Sequence, residues 1–474
     1  MSAVPLLALA GAGLLLGCLP RPAWRRTGIL LVSVTAAYVL QPATPLRHAS
    51  FWLPTIALGL TVLVWAAVHP ADAARRPTLI AGVLLAAVVL GVAAAGYLLR
   101  DGPLASLRPP PFTSLLVSAG VVLVAVAAVY ASGLRVARAL GLGLVLILVA
   151  AFIILKTEPL SLAASAWLRR LSGQSADLAA PIDLTWLGFS YLAFRLLHVL
   201  LDARAGRLPG VGLDELVSYA FFFPALTAGP IDRVDRFVQD LRQSPQLSPQ
   251  DLREGGGRII VGLVKKFIVA DSLAMIALQP LSAERVTATG WLWVLLYAYS
   301  FQLYFDFSGY TDIAIGVGRL AGVRLPENFQ RPYLQPSLTA FWNSWHMTLA
   351  QWFRGYVFNP LTRALRSARR PWPTAAIVLV GQLSTMILIG LWHGVAWGFV
   401  LWGAWHGVGL FLQNRWSSWM RGGAGRLWAR PAARRFATIA GVVITFHFVT
   451  LGWVWFSLPD PALAGRVFLR LFGG

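Results

Sequence analysis

Seven histidines are spread through this 474-residue chain, and two of them stand where acid–base chemistry is expected. His346 lies in the segment Phe341-Trp-Asn-Ser-Trp-His346-Met-Thr-Leu-Ala-Gln-Trp-Phe-Arg354, at the border of an aromatic stripe, and His393 lies in Leu391-Trp392-His393-Gly394, at the end of an apolar run. An imidazole titrates near neutral pH, so either ring can take a proton from a hydroxyl. An ionisable group at membrane depth is a functional expectation in itself, and Gly394 removes a side chain beside the His393 ring, which would let a substrate approach. Blander readings stay open: His346 bonded to a backbone carbonyl in an interfacial helix, and His393 a satisfied core histidine. His406 is about 220° round the helix from His393 and reads as core packing. His48, His69, His198 and His447 have no supporting context. There is no H-E-x-x-H and no histidine pair at i, i+4, and the single Cys18 rules out a disulfide within the chain and a cysteine-rich metal site, so no metal is expected.

Other polar residues interrupt apolar segments. Asp306 and Asp312 occur in Phe305-Asp-Phe-Ser-Gly-Tyr-Thr-Asp312, six residues apart, and face different ways. Asp312 and Arg319 are seven apart and share a face, so an internal ion-pair network that fixes helix packing is favoured over direct catalysis. In Phe221-Phe-Phe-Pro-Ala-Leu-Thr-Ala-Gly-Pro-Ile-Asp-Arg233 the prolines and glycine break the helix, and Arg233 is available to an anionic group; a plain helix end is the alternative.

The elements that must carry these residues follow from composition. The chain is 57% hydrophobic and 12% charged, and its apolar runs reach the roughly 20 residues that span a bilayer. Expected spans are 5–19, 51–68, 78–99, 112–131 and 139–155, then 184–201, 215–226, 258–278, 291–317, 374–392, 397–412 and 436–456. The stretch 219–231 reads as a re-entrant or broken helix. All-helical spans follow because lipid offers no partner to open backbone groups. The expectation is an all-α, polytopic integral membrane protein with about 11–13 transmembrane helices. Residues 1–156 read as scaffold and 157–474 as the catalytic core. The segment 338–360 is expected as one amphipathic interfacial helix with Thr339 as N-cap, Phe341, Trp342, Trp345, Leu349, Trp352, Phe353 and Tyr356 on one face, and Asn343, Gln351 and Arg354 on the other.

The net charge of +21 comes from arginines in loops, which fits topology setting and anionic lipid rather than nucleic acid. The loops at 361–372 and 413–435 hold arginines and no acid, so both are expected on the cytoplasmic side, and 373–412 must go out and return as a hairpin with His393 near its turn. The first span lacks a basic start, so no cleavable signal is expected, and Leu-Leu-Gly-Cys at 15–18 reads as a chance likeness to a lipoprotein site.

Five ordered motifs resemble the membrane-bound O-acyltransferase family, in particular the bacterial branch of alginate O-acetylation and teichoic-acid D-alanylation. They are Phe-Phe-Pro-Ala-Leu-Thr-Ala-Gly-Pro-Ile-Asp-Arg (222–233), Phe-Asp-Phe-Ser-Gly-Tyr-Thr-Asp-Ile-Ala-Ile-Gly (305–316), Pro-Glu-Asn-Phe-Gln-Arg-Pro-Tyr-Leu (326–334), Phe-Trp-Asn-Ser-Trp-His-Met-Thr-Leu-Ala-Gln-Trp-Phe-Arg-Gly-Tyr (341–356) and Gly-Leu-Trp-His-Gly (390–394). The match runs from about 184 to 412. The resemblance implies a ring of membrane helices around a funnel that reaches the two histidines, with His393 catalytic and His346 in the second active-site position. Asn343, Trp392, Arg354, Arg233, Asp306 and Asp312 are the expected substrate-binding residues. Where family members often show Trp-Phe-Arg-Asp-Tyr, this chain has Gly355, which leaves Arg354 without a neighbouring carboxylate.

The expected activity is O-acyl transfer, acetyl favoured, from a cytoplasmic thioester to hydroxyls of an extracytoplasmic polysaccharide, in the inner or plasma membrane. The donor is acetyl-coenzyme A or an acyl carrier protein, a co-substrate and not a resident cofactor. Membrane lipids, the envelope polymer and an extracytoplasmic acyltransferase are the other expected partners, and no nucleic acid. The alternatives are D-alanyl transfer to a teichoic-acid-like polymer, a transporter or flippase using Asp306 and Asp312 as a proton relay, and a channel that passes acyl groups to a separate enzyme.

Overall fold

The computed structural model describes residues 3–68, 75–98, 108–243, 246–370, 372–421 and 431–474. His69, and Arg426 and Arg430 of the second arginine loop, lie outside the described residues. Every regular element among the described residues is helical, and the chain is an all-α polytopic membrane protein. Among the described residues, five helical segments are long and apolar enough to cross a bilayer: Ala49–Val68, Thr78–Leu98, Val136–Lys156, Thr374–His393 and Pro431–Ser457. They expose Leu79, Val83, Leu146, Ile439 and Ile444, an outer surface suited to lipid rather than water.

The chain divides into two compact units. The first comprises Met1–Val261 and Asp312–Pro326. It holds α1 (Ala3–Gly17), α2 (Pro22–Val39), α3 (Ala49–Val68), α4 (Arg75–Leu98), α5 (Phe112–Lys156), α6 (Glu158–Leu171), α7 (Phe189–Arg204), α8 (Leu213–Phe221), α9 (Val234–Gln243) and most of α10 (Pro249–Leu263). Helix α3 packs on α5, α7 and α8. The two spans expected at 112–131 and 139–155 are one continuous helix, α5, of 45 residues. No proline stands between them to interrupt its hydrogen-bond ladder. The expected span at 215–226 is the nine-residue helix α8, which ends before Pro224, where the ring excludes a further helical turn. Its polar groups are bound internally: Glu215 accepts from Arg242 at 2.8 Å and from Arg26 at 3.2 Å.

The second unit comprises Gly262–Thr311 and Glu327–Gly474. It contains α11 (Asp271–Ala274), α12 (Pro280–Arg285), most of α13 (Thr289–Leu320), α14 (Leu338–Trp342), α15 (Met347–Phe353), α16 (Asn359–Arg366), α17 (Thr374–His393), α18 (Trp397–Arg421), α19 (Pro431–Ser457) and α20 (Pro461–Arg470). Two stretches, Val264–Ala270 and Arg354–Phe358, widen into π-helical turns, a feature frequent beside functional sites. The hairpin expected over 373–412 is present as α17 and α18. Glycines let the two backbones touch: a Cβ at Gly403 would lie 2.6 Å from Met386 O, and one at Gly407 would lie 2.8 Å from Leu383 Cα.

The segment 338–360 is not one helix. Helix α14 stops at Trp342, His346 turns left-handed at φ 42°, and α15 begins at Met347. The single aromatic face expected for it is therefore split between elements. The N-cap is Ser337, whose hydroxyl accepts the Ala340 N–H at 3.2 Å, and not Thr339.

Candidate active site

His393 is the last residue of α17. Its height is set by the hairpin, because a Cβ at Gly390 would fall 2.2 Å from Phe399 O, a distance no side chain can take. The ring is half-buried in an aromatic box, with centroids at 4.4 Å to Trp392, 4.8 Å to Phe456, 5.8 Å to Trp402 and 6.0 Å to Phe399. The opening expected beside Gly394 is filled: a Cβ there would meet the Phe399 ring at 2.7 Å, because that ring folds back over the turn. Approach to His393 must therefore come past another edge of the imidazole.

His346 is 3% exposed and is held by a different device. The strand-like stretch after Glu327 runs beside it, with Gln330 N–H donating to Ser344 O at 2.9 Å and Met347 N–H to Asn328 O at 3.0 Å. The His346 Nδ1 lies 3.1 Å from Asn328 Oδ1, which also accepts from the backbone N–H and hydroxyl of Thr348 at 3.2 and 3.0 Å. The ring also has a hydrogen bond to the backbone of His346 itself, so the side-chain contact adds to the backbone-bonded reading of His346 and does not replace it. The other ring nitrogen, Nε2, is buried and has no hydrogen-bond partner among the described residues. His346 sits in the turn between α14 and α15, outside the spanning helices, and burial, reinforced by the nearby His393, holds its imidazole well below the ordinary value and so neutral. Phe307 meets the ring edge-on at 4.6 Å.

Trp392 joins the two histidines. It lies edge-on to His346 at 5.9 Å and to His393 at 4.4 Å. Asn343 is exposed and its Oδ1 accepts from Arg354 Nη2 at 2.5 Å, so an amide fills the place of the missing carboxylate. A side chain at Gly355 would meet open space, so packing does not demand the glycine.

The remaining expected residues have ion-pair partners of their own. In the second unit Asp306 pairs with Lys266 at 2.5 Å. In the first, Asp312 pairs with Arg258 at 2.8 Å and Arg319 with Asp251 at 2.9 Å. Helix α10 thus supplies an opposite charge to both Asp312 and Arg319. Arg233 pairs with Asp235 at 3.2 Å and Asp202 at 3.3 Å. His406 is fully buried and accepts from Trp342 Nε1 at 3.3 Å; it stands on α18 while His393 ends α17, so the two were never on one helical wheel. Sequence reasoning passed over Asn328 as a site residue. Its only signal was a polar side chain in a motif, with no spacing that links it to a histidine 18 positions later.

Comparison with known proteins agrees with these motifs. A model of the membrane-bound O-acyltransferase family matches residues 142–457. The chain is 34% identical over 279 residues to the teichoic acid D-alanyltransferase of Bacillus subtilis, covering 58% of this chain and 69% of that protein. It is 34% identical over 287 residues to the probable alginate O-acetylase AlgI of Pseudomonas aeruginosa, covering 60% and 51%. It is 32% identical over 273 residues to the peptidoglycan O-acetyltransferase of Helicobacter pylori, covering 55% and 47%.

Proposed function

Because the chain belongs to the membrane-bound O-acyltransferase family and is an acyltransferase, we propose that it moves an acyl group, acetyl foremost, from a cytoplasmic thioester to hydroxyls of an extracytoplasmic cell-envelope polysaccharide. One observation carries the reading: a single compact unit holds a half-buried and a buried histidine with Trp392 edge-on to each. His393 takes the proton of the acceptor hydroxyl as its oxygen attacks the thioester carbonyl. A C–O bond forms, the C–S bond breaks, and His393 returns the proton to the leaving thiolate. His346 or Asn343 orients the acyl group or the thiol. The donor is acetyl-coenzyme A or an acyl carrier protein, and the arginines from Arg354 to Arg370 suit its phosphates. The protein works in the inner or plasma membrane, with an extracytoplasmic acyltransferase as a partner. D-alanyl transfer to a teichoic-acid-like polymer is the second reading, favoured by the likeness to the Bacillus enzyme.

The test is the ester-linked acid released by mild base from envelopes of cells carrying wild type or His393→Ala at matched expression. Ester present with wild type and lost in the variant is the expected result, and mass spectrometry of the acid separates acetate from D-alanine. Ester unchanged in the variant would remove the histidine assignment and promote the transporter reading.

A further inference from the structure

We propose that Asn328 is a positioning residue that fixes the proton of His346 on Nδ1 and so leaves Nε2 as a buried hydrogen-bond acceptor, open only to a donor. The orientation of the Asn328 amide follows from an unambiguous neighbour. The Thr348 backbone N–H lies 3.2 Å from Oδ1, and a backbone N–H only donates, so the atom facing it is the amide oxygen. The same oxygen faces His346 Nδ1 at 3.1 Å. An amide oxygen cannot donate, so Nδ1 carries the hydrogen. In a neutral imidazole the other nitrogen then holds a lone pair. That nitrogen is buried and has no partner among the described residues, a state that costs free energy until a donor arrives.

This narrows the chemistry, and it rests on the reading of His346 as part of the acyl-transfer site. A thioester carbonyl and a thiolate are acceptors, and neither can pair with an acceptor nitrogen. The group that seats on His346 Nε2 is a donor: the acceptor hydroxyl, the N–H of His393 or, once His393 has returned the proton, the S–H of the leaving thiol. The carbonyl falls to other donors. Asn328 also serves the backbone, because Thr348 is the second residue of α15 and its N–H lacks an intrahelical partner. A role confined to that cap predicts lost stability and no effect on the imidazole.

The experiment is nitrogen-15 NMR of full-length protein labelled at histidine in lipid nanodiscs, with the His346 signals identified by their absence in His346→Gln. The expected result is one protonated nitrogen, assigned to Nδ1, near pH 7.5. In Asn328→Ala the preference is expected to weaken toward a mixture, and Asn328→Asp, which keeps the acceptor oxygen, is expected to restore it. A proton on Nε2 in the wild type overturns the inference whether or not the variants fold, as does an unchanged tautomer in folded Asn328→Ala. Because this readout needs no substrate, its failure is separable from failure of the acyltransferase reading, which the envelope ester assay reports.

Discussion

The two candidate site histidines, His346 and His393, are positioned in opposite ways. His393 rides at the end of a continuous 20-residue helix, and its place is set by backbone contact between α17 and α18 at glycines. His346 sits in a break between helices of five and seven residues, and its place is set by hydrogen bonds that Asn328 accepts. Close helix packing transmits position along a rigid rod, so a distant residue in the rod moves the side chain at its tip. A capped turn confines the effect of a change to its own neighbourhood, and also dictates which ring nitrogen holds a proton.

Breaking the first device should have the largest effect. Gly390→Val forces a side chain onto a carbonyl oxygen, and its cost should reach or pass the upper end of the roughly 1–3 kcal/mol typical of overpacking; size-exclusion profiles in detergent should show lost folded protein. His393→Ala keeps the rod, and should lower turnover on the order of 10²–10⁴-fold with thermal stability close to wild type. The second device is sharpened by comparing His346→Ala with His346→Asn. Asparagine tolerates the left-handed backbone and alanine does not, so the asparagine variant should be more stable by about 1 kcal/mol in thermal melts while both stay inactive. Its pH dependence has a definite sign. The buried ring is neutral in the fold, whereas the unfolded chain takes up a proton below about pH 6.5, so stability is fully present above that pH and is lost as pH falls through it. Melts near pH 5 and near pH 7.5 should differ less in His346→Asn than in wild type. The smallest change is Ser337→Ala, which removes the cap of α14 and should cost about 1 kcal/mol without shifting the pH behaviour.

Much of the second unit was legible in the residues. Runs of apolar length, arginine-rich loops at 361–372 and 413–435, and Leu391-Trp-His-Gly394 together indicated a hairpin with His393 near its turn, which the structure contains. The helix break at 343–346 was not legible, since Asn343-Ser-Trp-His346 holds neither proline nor glycine and the aromatic residues on both sides keep a helical rhythm. That break exists because Asn328 and Gln330 offer the backbone other partners.

The sequence by itself determined the membrane character, the all-α class and the family, because hydrophobic length and contiguous motifs are local properties that survive without a fold. Tertiary structure alone decided the pairing: Asp306 with Lys266, Asp312 with Arg258, Arg319 with Asp251, and His346 with Asn328. These partners lie 18 to 68 residues apart, on separate elements. Periodicity along one helix describes which side chains share a face, and it carries no information about which other helix brings the opposite charge or the accepting oxygen to that face.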